Sequence, residues 1–132
     1  MVAIMTTENG QVRTILYIED NAANRQLVEM IIERRNDLQV ILAENGRDGL
    51  KLAEERQPDL ILLDNSLPDI GGPEVLAHLR MTEKTKSIPV VSLSGSSLQD
   101  SGEDETAVFD DYLAKPIDIQ KFYTVIDKVL RL

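Results

Sequence analysis

Four consecutive aliphatics, Leu60-Ile61-Leu62-Leu63, stand between Pro58 and Pro68 and show neither helical periodicity nor strict alternation. A short apolar run bounded in this way reads as a strand buried on both faces, the habit of parallel sheets covered by helices on either side. A single carboxylate, Asp64, stands where that strand ends. Ligands of open parallel α/β sheets collect at the carboxyl ends of the strands. Asp64 is therefore a site candidate, and its plainer reading is a turn cap.

Similar runs flank it along the chain. Thr14-Ile15-Leu16-Tyr17-Ile18 reads as a first buried strand that runs out in Glu19-Asp20-Asn21. Leu27, Val28, Ile31 and Ile32 then share one helical face. A second strand is expected over 40–43, and Asn45 is placed to cap a helix carrying Leu50 and Ala53. After the central strand, Gly71-Gly72 marks a turn and Pro73 suits a first helical position. Further strands are expected over 89–94 and 112–114. Asp118 is placed to cap a last helix whose Ile119, Phe122, Ile126, Val129 and Leu130 form one stripe. Strand and helix alternate five times, which predicts a doubly wound α/β domain. The segment 97–108 fits least well: it holds four acids, no base and a central Gly102. A short, late-starting or mobile helix is expected there.

Composition narrows the function. The 132 residues suffice for one domain with a sizeable core. Residues 1–12 read as a flexible lead-in, without the layout of a signal peptide, and 13–132 as the domain. Twenty-three acids against 14 bases leave a net charge of −9, which argues against a nucleic-acid surface. No apolar run approaches the ~20 residues of a membrane span. The chain has no cysteine, so thiolate and disulfide chemistry are excluded and a reducing cytoplasm is compatible.

If the strands are parallel, Glu19, Asp20, Asp64, Ser94 and Lys115 project from one edge of the sheet. Two carboxylates ~5 Å apart repel by roughly 3 kcal/mol at an effective dielectric near 20, so three together call for compensation. Lys115 offsets one charge and a divalent cation would offset the rest. An all-oxygen ligand set, with His78 far off on an expected helix, suits Mg²⁺ better than zinc.

Glu19-Asp20-Asn21, Leu63-Asp64-Asn65-Ser66-Leu67-Pro68, Ser94-Gly95 and Tyr112-Leu113-Ala114-Lys115-Pro116, in this order after strands one, three, four and five, resemble the receiver domain of two-component response regulators. The resemblance implies a flavodoxin-like fold, with a five-stranded parallel sheet in the order 2-1-3-4-5 and helices on both faces, an open sheet whose ligand site lies at the carboxyl edge. It implies that Asp64 is the phosphoacceptor, that Glu19, Asp20, Asp64 and the backbone carbonyl of Ser66 hold Mg²⁺, and that Ser94 and Lys115 contact the phosphoryl group. Ser94 and Tyr112 fall at the switch positions, and Pro116 follows a bond that is usually cis in the family. The implied partners are a sensor histidine kinase or histidine phosphotransfer protein as phosphoryl donor and an unknown downstream protein, with the chain a monomer or weak dimer in the cytoplasm. Such a domain is a switch rather than a turnover enzyme.

The sequence departs from the family pattern at several positions. Glu replaces Asp at position 19, Ser replaces Thr at 94, and Gly95 follows where Ala is usual. Ser66 and Ser96 sit where the family tunes phosphoryl lifetime. A degenerate receiver, acting as a phosphorylation-independent interaction module, is expected to lack the acceptor, an acidic ligand or the lysine, and all are present. A phosphatase of the haloacid-dehalogenase type wants a second Asp two residues past the first, where this chain has Ser66. A dinucleotide-binding domain wants a Gly-rich loop after the first strand. The sequence ends at Leu132, directly after the last expected helix, so a stand-alone receiver or a module of a longer protein, such as a hybrid sensor kinase, is expected.

Overall fold

The computed structural model describes residues 11–95 and 108–132. The described residues form strands β1 (Arg13–Ile18), β2 (Leu38–Ala43), β3 (Leu60–Asp64), β4 (Val90–Ser94) and β5 (Asp111–Ala114). Between and after them lie helices α1 (Ala22–Glu33), α2 (Gly46–Arg56), α3 (Gly72–Met81) and α4 (Ile119–Leu130). All strand pairings are parallel, in the order β2-β1-β3-β4-β5. This is the flavodoxin-like arrangement expected from the sequence.

The central strand is buried at every position, because helices cover both of its faces. Side chains alternate along a strand, and the core divides accordingly. Ile15, Tyr17, Leu60, Leu62, Val91 and Leu93 face α1 and α4, represented by Val28, Ile31, Phe122 and Ile126. Leu16, Ile18, Ile61, Leu63 and Val90 face α2 and α3, represented by Ala53, Val75 and Leu79. Burying each large aliphatic contributes about 1.5–3 kcal/mol, so the unbroken apolar run of β3 holds the two layers to one sheet. Gly49 lets α2 lie close on β1: a Cβ there would collide with the side chain of Ile18.

Three of the four described helices start at a side-chain cap, and α3 starts after Gly71 without one. Asn21, Asn45 and Asp118 accept from the backbone N–H groups of Asn24, Asp48 and Lys121 at 2.9, 2.8 and 3.0 Å, satisfying donors that the helix leaves free. Strands β1, β4 and β5 begin one residue from their expected starts, at Arg13, Val90 and Asp111, and two expectations change further. Strand β2 begins at Leu38 rather than 40, because buried Leu38 pairs with Arg13 and joins the core. Ile119, the first residue of α4, lies outside the buried stripe, which runs through Phe122, Ile126 and Leu130, and is 39% exposed. Of the segment 97–108, all but Val108 lies outside the described residues, as do residues 1–10 of the expected lead-in.

Candidate functional site

The carboxyl edge of the sheet gathers the charged residues. Glu19 follows β1, Asp64 closes β3 and Lys115 follows β5. Each stands two residues beyond a core residue of the α1/α4 face, namely Tyr17, Leu62 and Leu113. The two-residue period of the strands therefore turns all three side chains the same way. Glu19 and Asp64 are each only 1% exposed, and Asp20 lies exposed beside them. One carboxylate oxygen from each of Glu19, Asp20 and Asp64 lies within 4.8 Å of the others.

Lys115 bridges the two buried acids. Its Nζ is 3.0 Å from Glu19 Oε1 and 3.1 Å from Asp64 Oδ1. Asp64 Oδ1 also accepts from the backbone N–H of Ser66 at 3.2 Å and from its hydroxyl at 3.3 Å. Glu19 is held from both ends: the Tyr17 hydroxyl donates to Oε1 at 2.7 Å and the Asn21 N–H donates to Oε2 at 3.2 Å. The Arg25 guanidinium donates to the Glu19 backbone oxygen at 2.9 Å.

These contacts divide the two acids electrostatically. Burial alone would raise the Glu19 pKa, but the donors Tyr17 and Lys115 outweigh it and hold the carboxyl below its ordinary value. Burial raises Asp64 above its ordinary value; the Ser66 N–H opposes the shift and the neighbouring Glu19 adds to it. Burial works against the Lys115 ammonium, yet its bonds to Glu19 and Asp64 raise its pKa. The Tyr17 phenol is pushed far above its ordinary range by burial and by Glu19. Among the described residues, the site is thus an anionic cluster bridged by the Lys115 ammonium. Its donors are all oxygen, the set that suits a hard divalent ion keeping several waters.

The remaining candidates lie around this centre. Ser94 closes β4, 3% exposed, one residue beyond the Asp64–Leu93 pairing. Its backbone oxygen accepts from the Lys115 N–H at 2.9 Å. Tyr112 on β5 is 37% exposed and meets Phe109 edge to face with ring centroids 5.7 Å apart. The Lys115–Pro116 bond is cis. Ser66 is exposed beside Asp64, and His78 is exposed on α3, away from the strand ends. Tyr17 and Arg25 were not singled out as site residues from the sequence. For Tyr17 a signal exists: it stands two residues before Glu19 and so shares its face.

A doubly wound parallel sheet with an acidic, lysine-bearing cluster at its carboxyl edge defines the class of open α/β domains that bind ligands at their strand ends. A family model described as the response regulator receiver domain matches residues 15–127, and the chain belongs to that family, the receivers of two-component systems. It is 31% identical over 121 residues to the polar-differentiation response regulator DivK of Brucella anthropi, covering 89% of this chain and 96% of the relative. It is 35% identical over 118 residues to histidine kinase P4 of Formosa agariphila, covering 89% of this chain but only 8% of that kinase. Among solved structures, the receiver domain of sensor histidine kinase PA1611 from Pseudomonas aeruginosa superposes with a TM-score of 0.84 at 27% identity. That match covers 92% of this chain and 99% of the other, whose active-site cleft coordinates a magnesium ion. No helix among the described residues is long and apolar enough to cross a membrane.

Proposed function

We propose that the chain is a phosphoacceptor switch in which Asp64 takes a phosphoryl group from a phosphohistidine. The observation that carries this reading is the pairing of Lys115 with Asp64 at 3.1 Å inside a cluster of three carboxylates. In the transfer, a carboxylate oxygen of Asp64 attacks phosphorus, an O–P bond forms, and the P–N bond breaks with its electron pair staying on the imidazole. Lys115 then holds a phosphoryl oxygen that it already approaches through Asp64. Ser94, at the end of the adjacent strand, donates its hydroxyl to the same group. Phosphoryl transfer depends chiefly on positioning and on positive charge near the transferring oxygens.

Glu19, Asp20, Asp64 and the Ser66 backbone carbonyl would hold Mg²⁺, and their all-oxygen chemistry supports that choice over a softer metal. When bound, the ion supplies further positive charge to the phosphoryl oxygens. Tyr112, exposed at the surface of β5, is the residue by which the phosphorylated state would be read. The donor is a sensor histidine kinase or histidine phosphotransfer protein, consistent with the histidine kinase among the relatives. The receiver works in the cytoplasm as a monomer or weak dimer and passes the signal to a downstream protein.

Incubation with a small acyl phosphate and Mg²⁺ tests this. One acid-stable, base-labile phosphoryl group per chain is expected, and chelation of Mg²⁺ prevents its appearance. Absence of labelling in the folded protein would favour a phosphorylation-independent interaction module.

A further inference from the structure

Tyr17 is the largest side chain sealed in the core, 0% exposed and surrounded by the apolar residues packed under α1 and α4. A buried phenol usually finds a partner for its hydroxyl, and here the partner is a site carboxylate, Glu19 Oε1, at 2.7 Å. The side chain of Glu is one methylene longer than that of Asp and gains a torsion, so an unrestrained carboxylate at position 19 would sample several orientations. In this chain it does not hang free. Tyr17 holds Oε1 from beneath, Lys115 holds the same oxygen from β5, and the Asn21 N–H holds Oε2. Lys115 and Asn21 reach Glu19 from residues at the sheet edge. Tyr17 reaches it from the packed interior, where its ring cannot turn away.

We infer that Tyr17 is a positioning residue for the cation site: its hydroxyl fixes the Glu19 carboxylate so that the acidic cluster is preset for a divalent ion. The inference rests on the metal reading of the preceding section and adds to it the origin of the cluster's geometry. Loss of a group that orients a metal-binding side chain without touching the ion typically costs about 10–100-fold in metal affinity. The role also gives a reason for the Tyr-x-Glu spacing of Tyr17 and Glu19: with period-two alternation, the nearest residue of β1 on the face of Glu19 is the one two before it. Phe at position 17 would fill the same core volume and lose only the hydroxyl.

The test is Mg²⁺ binding to the intact chain, measured by isothermal titration and by the Mg²⁺-induced rise in unfolding temperature. Tyr17→Phe is compared with wild type, and Asp20→Asn serves as the ligand control. Tyr17→Phe is expected to bind Mg²⁺ roughly tenfold more weakly, at the lower end of the usual range for an orienting partner, because Lys115 and Asn21 remain. Its rise in unfolding temperature on adding Mg²⁺ should shrink accordingly. In a Glu19→Gln background the same replacement should leave affinity unchanged, which a purely packing role would not produce. Wild-type affinity in Tyr17→Phe overturns the inference, as does an equal loss with and without Glu19. If wild type itself binds no Mg²⁺, or Asp20→Asn binds as wild type does, the metal reading fails instead. If Tyr17→Phe does not fold, Tyr17→Trp and Glu19→Asp, each of which disturbs the hydroxyl–carboxylate pair differently, are measured in its place. Unaltered affinity in both overturns the inference.

Discussion

Lys115 Nζ lies 3.1 Å from Asp64 Oδ1, joining residues 51 positions apart in the chain. The contact depends on two separate strand ends. Asp64 is the last residue of β3, Lys115 the first after β5, and β4 lies between them. Lys115 reaches across that intervening strand to neutralise charge that burial would otherwise penalise.

Removing that cation should therefore cost stability as well as function. Breaking a buried ion pair by deleting one partner typically costs about 3–5 kcal/mol, and the partial exposure of Lys115 lowers the expectation to the bottom of that range. Lys115→Met should unfold at lower urea concentration in the absence of Mg²⁺, and millimolar Mg²⁺ should restore part of the difference. Equal urea midpoints for variant and wild type would show that Lys115 is not the compensating charge.

A second clamp lies beside the site. Asp69, in the loop between β3 and α3, accepts from the backbone N–H groups of Gly46 and Arg47 at 2.8 and 2.9 Å, capping α2. Burial tends to raise its pKa, but those two N–H bonds prevail and hold it below the ordinary value. A depressed folded-state pKa means that the stabilisation is present above the unfolded value of about 3.9. It is lost as pH falls through the folded value. Asp69→Ala should cost about 0.5–2 kcal/mol at pH 7, and the difference from wild type should narrow towards pH 2 in urea titrations. A constant difference across that range would contradict the ionised cap.

Much of this architecture is legible in the chain itself, for physical reasons. Leu60-Ile61-Leu62-Leu63 reads as a two-face-buried strand because nothing polar interrupts it, and Asp64 is conspicuous as the carboxylate that ends it. Glu19 and Lys115 follow from the same strand-end logic, and Asn45 and Asp118 from capping chemistry. Tyr17 was less legible: an aromatic inside a buried strand reads as packing, and its hydroxyl acquires meaning only once Glu19 is placed 2.7 Å away. The Asp69 clamp joins a loop to the first turn of α2, across 22 and 23 residues, a distance over which periodicity carries no information. Ile119 fits the helical stripe by spacing yet lies exposed, because spacing fixes which residues share a face but not which turns of the helix are covered.

Signal output should run through Ser94 and Tyr112. A phosphoryl group on Asp64 is expected to draw the Ser94 hydroxyl and the end of β4 towards it, and Ser92 and Ser94 pair in register with Tyr112 and Ala114 of β5. Such a movement biases a two-state element that the exposed Tyr112 ring reports. Shifting a population from 1:99 to 99:1 takes about 5.5 kcal/mol, much of which two charge-assisted hydrogen bonds at roughly 1.5–3 kcal/mol each can supply. On adding beryllofluoride and Mg²⁺, the Tyr112 ring signals should shift in wild type and shift far less in Ser94→Ala. A full response in Ser94→Ala would place the coupling elsewhere.

The central claim is that Asp64 is the sole phosphoacceptor, and intact-protein mass spectrometry after incubation with an acyl phosphate and Mg²⁺ tests it most directly. Wild type should gain one phosphoryl group, mapped by borohydride reduction to Asp64, and Asp64→Asn should gain none while retaining its fold by circular dichroism. Labelling of Asp64→Asn to the wild-type extent would contradict the account.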